Sequence, residues 1–267
     1  VIMYEDILND INNVIEYKEG DQISPLNNSY FPKPISKDNF HVISTQESSI
    51  NNAKLCFIDG GSAELLRAPN FSLFFIRVYA NISLENKTIN DKKVEFYCLA
   101  KTKIKDEKIF YDVCLFNLSS TDNNQFLPDK IDLELFSFDK TIVMGENRAE
   151  ISKLGDIARR FAEIKLATGI IPELDTGDII VLDGNLRATY TNENKYLDAL
   201  YKKANEKQVI ISALCKTSNL LTEKGNNMIT VLNHLSPQGL WYYYPIMEIN
   251  EPKHNAEIMF VKLNLSS

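Results

Sequence analysis

The sequence predicts a mixed α/β sheet flanked by helices, and three observations carry that expectation. The first half reads as a succession of strands, two of them rich in β-branched and aromatic residues. The second half alternates strand, helix and strand. Between the two lies one long stretch with helical periodicity, over residues 148–168.

Taken in order, Ile7, Leu8, Ile11, Val14 and Ile15 fall at helical spacing and predict an amphipathic helix over 3–17, stopped by Lys18-Glu19-Gly20. Residues 21–52 are rich in Ser, Asn and Pro and read as a long loop. Residues 54–58 read as a short buried strand, broken by Asp59-Gly60-Gly61-Ser62. Strands follow over 72–82, 94–100 and 108–117, with 101–108 as a charged turn; the polar stretch 119–140 holds at most a short element. The helix over 148–168 has Asn147 as N-cap, Glu150 at the third position of a capping box and Gly169 just past its last turn.

Residues 178–182 form a continuous apolar run of the kind buried on both faces, ending in Asp183-Gly184. A helix over 193–208 and a strand over 209–214 come next, running into Lys216-Thr217-Ser218, and 228–265 alternates strand-like runs with turns. The whole of 1–267 is expected to be one domain: N-terminal helix 1–20, loop 21–52 and core 53–267. Three antiparallel strands followed by αβαβ is the order of the ribonuclease H-like fold, in which the first and fourth strands are neighbours.

Composition narrows the function classes. Of the 267 residues 44% are hydrophobic and 24% charged, which excludes a mainly disordered or collagen-like chain. No apolar run approaches the ~20 residues that span a bilayer, so no membrane partner is expected. The opening Val1-Ile2-Met3-Tyr4-Glu5-Asp6 lacks the basic and apolar regions of a signal peptide. Cys56, Cys98, Cys114 and Cys215 lie far apart in apolar runs, and are expected as buried thiols of a reduced, cytoplasmic protein. A net charge of −7 argues against holding nucleic acid by overall field, but is compatible with carboxylates that hold a divalent cation.

The residues with most chemical promise are the two aspartates that each follow an apolar strand, Asp59 and Asp183. A carboxylate at a strand end sits at the sheet rim, where open α/β sheets bind ligands. If the two strands are adjacent the carboxylates converge, and such a pair repels itself unless a proton or a cation lies between them. Mg²⁺ or Mn²⁺ suits oxygen ligands. The alternative is that Asp-Gly merely starts turns. The helix offers Glu146, Glu150, Asp156 and Glu163 as a third carboxylate; Glu150 already has a part in the capping box, and Glu163 stands among Phe161, Ala162, Ile164 and Leu166. Lys216, following a buried strand, could contact a phosphate, with Arg67 and Arg77 as weaker candidates. Trp241-Tyr242-Tyr243-Tyr244 could stack on bases or form an ordinary strand.

Phe57-Ile58-Asp59-Gly60-Gly61-Ser62, Arg159-Arg160-Phe161-Ala162-Glu163, Ile180-Val181-Leu182-Asp183-Gly184-Asn185-Leu186 and Ile211-Ser212-Ala213-Leu214-Cys215-Lys216-Thr217-Ser218 resemble, in order and spacing, the NurA nuclease family. The resemblance runs from about residue 53 to 218 and weakly beyond. It implies a ribonuclease H-like fold and a Mn²⁺-dependent nuclease degrading DNA 5′ to 3′. It also implies a dimeric ring docked on the hexameric ATPase HerA, acting at DNA ends in double-strand-break repair. On the resemblance, Asp59, Glu163 and Asp183 are the metal ligands. The family's C-terminal part, with its catalytic His, is not found; His254 is no convincing substitute, and His41 and His234 read as bystanders. That departure keeps open a non-catalytic ribonuclease H-like module binding nucleic acid or an ATPase. An acetate kinase-like ATPase on the same fold is disfavoured, since no Gly-rich phosphate loop is present.

Overall fold

In the computed structural model, residues 5–6, 20–24, 30–44, 53–118, 121–249 and 256–263 are described. The helix expected over 3–17 falls almost wholly outside the described residues, as does His254. Where the sequence reading has one domain, the chain divides into two compact units: Ile50–Cys215, and Val1–Ser49 together with Lys216–Ser267. Two short strands, β1 (Tyr30–Pro32) and β2 (Phe40–Val42), come first in the chain, within the segment read as loop, and belong to the smaller unit.

The larger unit holds a seven-stranded mixed sheet. Its strands are β3 (Leu55–Ala68), β4 (Phe71–Leu84), β5 (Lys87–Lys105), β6 (Lys108–Asn117), β7 (Leu135–Phe136), β8 (Ile179–Asp183) and β9 (Ile210–Leu214). They lie in the order β7-β6-β5-β4-β3-β8-β9. β3 pairs β8 in parallel and β8 pairs β9 in parallel, while the remaining pairings are antiparallel. The run β5-β4-β3-β8-β9 is the ribonuclease H-like order, with the first strand of that fold beside the fourth.

Alternation explains which face is covered. Ser72, Phe74, Ile76, Val78, Ala80 and Ile82 of β4, and Val94, Phe96, Cys98 and Ala100 of β5, are buried on one side. Against that side lies α1 (Lys153–Ile170), whose Leu154, Ile157, Phe161 and Ile164 recur at helical spacing and are fully buried. Burying one such side chain stabilises by roughly 1.5–3 kcal/mol. A second helix, α2 (Glu193–Lys207), joins the same core through Tyr196, Leu197, Leu200 and Ala204, and Tyr196 stacks on Phe161 with centroids 4.5 Å apart. Both helices of this unit therefore sit on one face of the sheet.

Several boundaries differ from the sequence reading. β3 does not break at Asp59-Gly60; it continues to Ala68, because β4 offers a partner along its whole length. The turn read at 101–108 shrinks to Asp106-Glu107, both with positive φ, matching Glu85-Asn86 between β4 and β5. Such paired positive φ values suit two-residue hairpins. α1 begins at Lys153, so Asn147 and Glu150 form no capping box; Glu150 instead accepts from Arg67 and Ser152. Gly169 lies inside α1, where a Cβ would run into the Phe126 ring, so it serves close packing and not the helix stop.

In the smaller unit, α3 (Met228–Leu235) appears where only strand-like runs were read. Asn227 caps it, its side chain accepting from the N–H groups of Ile229 and Thr230. The strands β10 (Trp241–Tyr243), β11 (Met247–Ile249) and β12 (Phe260–Lys262) complete a β12-β10-β2 sheet and a β1-β11 pair. Trp241 and Tyr243 are buried in this unit's core, whereas Tyr242 stacks on exposed His41, centroids 4.6 Å apart. Among the described residues no helix is long and apolar enough to cross a membrane.

Candidate functional site

Asp59 and Asp183 owe their placement to strand register. β3 and β8 run in parallel and their pairing ends with Ile58 opposite Leu182, so Asp59 and Asp183 are the residues that follow the last pair on two adjacent strands. Neighbouring strands lie about 4.8 Å apart. Ile58 and Leu182 are buried in the core, and the residues after them are more open: Asp59 is exposed and Asp183 half-buried. Asp59 is exposed, and its carboxylate accepts the Gly60 N–H at 2.8 Å. β8 ends at Asp183, and Gly184 makes a corner there with φ +95°. The pair stands at the carboxyl end of β8, the rim where open α/β sheets bind ligands.

Glu163 comes from the helix and lines a cleft together with Asp183. It is buried on α1, paired with Arg159 and 3.8 Å from Arg160, and it presses on Gly60. A Cβ added to Gly60 would sit 2.5 Å from a Glu163 carboxylate oxygen and 3.1 Å from Arg159 Cγ. Gly60 thus serves close approach of helix to strand, not a turn. Burial pushes the Glu163 carboxyl above the usual carboxylate range; Arg159 and Arg160 pull against that shift, and the charge of Asp59 adds to it. Gly60→Ala should displace this carboxylate and destabilise the protein by about 1–3 kcal/mol, the usual range for overpacking. Urea denaturation reads that loss directly, and an unshifted midpoint would mean that Glu163 moves aside at no cost.

Beneath the rim, a cleft is lined by Arg159, Arg160, Glu163, Asp183, Tyr190 and Glu193, among others. Arg160 organises it. Its Nε donates to Glu193 at 2.8 Å, and its Nη2 and Nη1 donate to the carbonyls of Asn185 (2.7 Å) and Asp183 (3.5 Å). Glu193, 1% exposed, also accepts the N–H groups of Thr189 and Tyr190 at 2.7 and 3.0 Å. Sequence reading passed over Glu193 and Arg160 because their partnership spans 33 residues. Its one available signal was an acid opening a helix just after a turn-rich loop.

The remaining sequence candidates are placed elsewhere. Lys216 falls in the smaller unit. Arg67 binds Glu150 at 2.7 Å, and Arg77 is exposed on the sheet face opposite α1. Of the thiols, Cys56 and Cys98 are buried and pushed up to about 12 by desolvation, as structural cysteines are. Cys215, expected to be buried, is exposed, its Sγ donating to the Gly184 carbonyl at 2.6 Å.

Among the described residues no three His, Cys, Asp or Glu side chains are gathered as a ready metal cage. The donor chemistry of Asp59 and Asp183 nevertheless fits Mg²⁺ or Mn²⁺. Mg²⁺ commonly takes one or two protein carboxylates and completes its shell with water and substrate phosphate. Glu163, which lines the same cleft as Asp183, is engaged by the guanidinium groups of Arg159 and Arg160 in this arrangement. No family model matches the chain, and no curated protein matches it.

Proposed function

We propose that this ribonuclease H-like protein is a divalent-metal-dependent DNA nuclease acting at the rim formed by Asp59 and Asp183. The observation that carries the reading is the β3–β8 register, which makes the two strands that lead into Asp59 and Asp183 parallel neighbours, paired up to Ile58 and Leu182. The resemblance to NurA nucleases in the residues around Asp59, Glu163, Asp183 and Lys216 supports it. That resemblance also supplies the finer picture: 5′-to-3′ degradation at DNA ends in double-strand-break repair, a homodimer and a HerA-type hexameric ATPase as partner.

Asp59 and Asp183 would hold Mn²⁺ or Mg²⁺, which when bound neutralises phosphate charge and makes its water a nucleophile near neutral pH. The chain itself supplies position. Backbone pairing fixes Asp59, and Arg160 pins the carbonyls on either side of Gly184, so the Asp183 corner is held by a buried side chain. Glu163 neutralises Arg159 and Arg160 beneath the rim, a positioning role where the resemblance implies a ligand. Lys216 belongs to the smaller unit and takes no part in this assignment.

The engagement of Glu163 by two arginines favours one second reading, a ribonuclease H-like module that binds nucleic acid without cutting it. Incubating the protein with linear DNA and Mn²⁺, with EDTA as control, separates them. Shortening of the DNA only with the metal supports the nuclease; binding without shortening supports the module.

A further inference from the structure

The face of the larger unit's sheet opposite α1 carries an ordered set of side chains that begins at Asp59. Cross-strand pairing arranges them in rows. Asp59 pairs with Tyr79 and Tyr79 with Lys93; Gly61 pairs with Arg77 and Arg77 with Glu95; Ala63 pairs with Phe75, Phe75 with Tyr97 and Tyr97 with Phe116. Moving along the sheet from the rim, one meets a row with Asp59 and Lys93 at its ends, then a row with Arg77 beside Glu95, then aromatics. Arg77 remains more than half exposed while bound to Glu95, and Lys93 lies 3.3 Å from the same carboxylate, so two cations face one anion there. The Arg77 guanidinium also lies 5.7 Å from the centre of the Phe75 ring.

Gly61 is the residue that the fold does not explain. Glycine inside a strand is destabilising by roughly 0.5–1 kcal/mol relative to Ala. Gly61 has no positive φ, and a Cβ there would meet nothing within 4 Å. It differs in this from Gly60, which the Glu163 carboxylate requires to be bare. Gly61 also lies just past the point where β8 stops pairing with β3, and among the described residues β3 continues paired with β4 alone. A glycine of this kind in a strand marks a place where another backbone approaches closely.

We infer that Gly61 and Arg77 form a ledge that seats the sugar-phosphate backbone of single-stranded DNA, leading it from the aromatic row toward Asp59 and Asp183. Arg77 contacts phosphate, the bare surface of Gly61 admits the backbone, and Phe75, Tyr97 and Phe116 give the bases rings to lie against. The inference rests on the nuclease reading for its direction, but the ledge binds DNA whether or not the metal is loaded. It also explains how a chain of net charge −7 holds a polyanion: by a local cation and stacking, not by overall field.

The test is fluorescence anisotropy of a labelled oligothymidylate in EDTA, with wild type, Arg77→Gln and Gly61→Val, after thermal melting shows that each is folded. Both substitutions should weaken binding about tenfold, and Arg77→Gln should reduce the slope of log affinity against log salt by about one. A Cβ at position 61 would meet nothing within 4 Å, so the variant should fold; should it not, Arg77→Gln decides alone. Variants that bind within about twofold of wild type, or a wild type that does not bind, overturn the ledge. The two proposals fail differently. A wild type that binds through Arg77 yet cuts nothing with Mn²⁺ removes the nuclease and leaves the ledge. A wild type that cuts, with both variants binding and cutting equally well, removes the ledge alone.

Discussion

Asp183→Asn should abolish Mn²⁺-dependent cleavage of linear DNA while leaving the fold in place, and Asp59→Asn should do the same. Each change removes one negative charge from a site meant for a divalent cation and keeps the size of the side chain. In the Asp59→Asn variant the amide oxygen can still accept the Gly60 N–H that the carboxylate accepts now. Loss of the charge stabilisation that a metal supplies is worth several kcal/mol, or about a thousandfold in rate. Initial rates on end-labelled DNA, with and without EDTA, measure the effect. A variant that still cuts at near wild-type rate would reduce that aspartate to a turn or strand residue.

The two Asp-Gly pairs show what was legible in the sequence and what was not. The strand order could be read, because apolar runs bounded by polar stretches mark the strands, and their succession limits the topology. From that order the adjacency of the two strands that lead into Asp59 and Asp183 followed. The reason for each glycine did not. Gly184 makes the turn that Asp-Gly normally signals, with φ +95°, whereas Gly60 lies in a strand that runs on for eight more residues, to Ala68. Local breaker signals lost there to a partner strand far along the chain, which pairs with β3 from Leu55 to Ala68.

Helix positions were readable to the same extent. The periodicity of α1 was plain, but its start and end were not, since Glu150 found Arg67 and Gly169 found Phe126. Those contacts are tertiary and leave no mark on the local pattern. The short α3 was missed although Asn227, Met228, Val231 and Leu232 carry a cap and a helical spacing. Eight residues offer too few turns for period to outweigh the surrounding strand-like runs.

What each carboxylate would contact was the least legible feature. Glu163 is four residues from Arg159 and three from Arg160, so the sequence does contain its ion pairs. Its reach to Gly60 depends on how closely α1 approaches β3, and only packing sets that distance. The buried charge network under the rim thus became visible only with the fold, and it carries the largest expected effect on stability.

Glu193→Ala should destabilise the protein by about 3–5 kcal/mol, the usual cost of breaking a buried ion pair by removing one partner. The Glu193 residue is 1% exposed and the Arg160 side chain 12%, so the guanidinium it leaves behind is largely withdrawn from water. Glu163, 3.8 Å away, is already committed to Arg159 and compensates only in part. The N–H groups of Thr189 and Tyr190 would lose their acceptor too, at a further cost of about 1–3 kcal/mol for each that stays buried. Glu193→Gln keeps an oxygen for those N–H groups and removes only the charge, so it should fall between wild type and Glu193→Ala. The thermal midpoint should drop by about 10 °C for the alanine variant, given about 2–4 °C per kcal/mol for a domain of this size. Arg160 holds the carbonyls that flank Gly184, so the same change should loosen the Asp183 corner and slow cleavage at temperatures where the variant is still folded. An alanine variant that melts with wild type would show that the network under the rim contributes nothing to stability and that Arg160 is held by the backbone carbonyls alone.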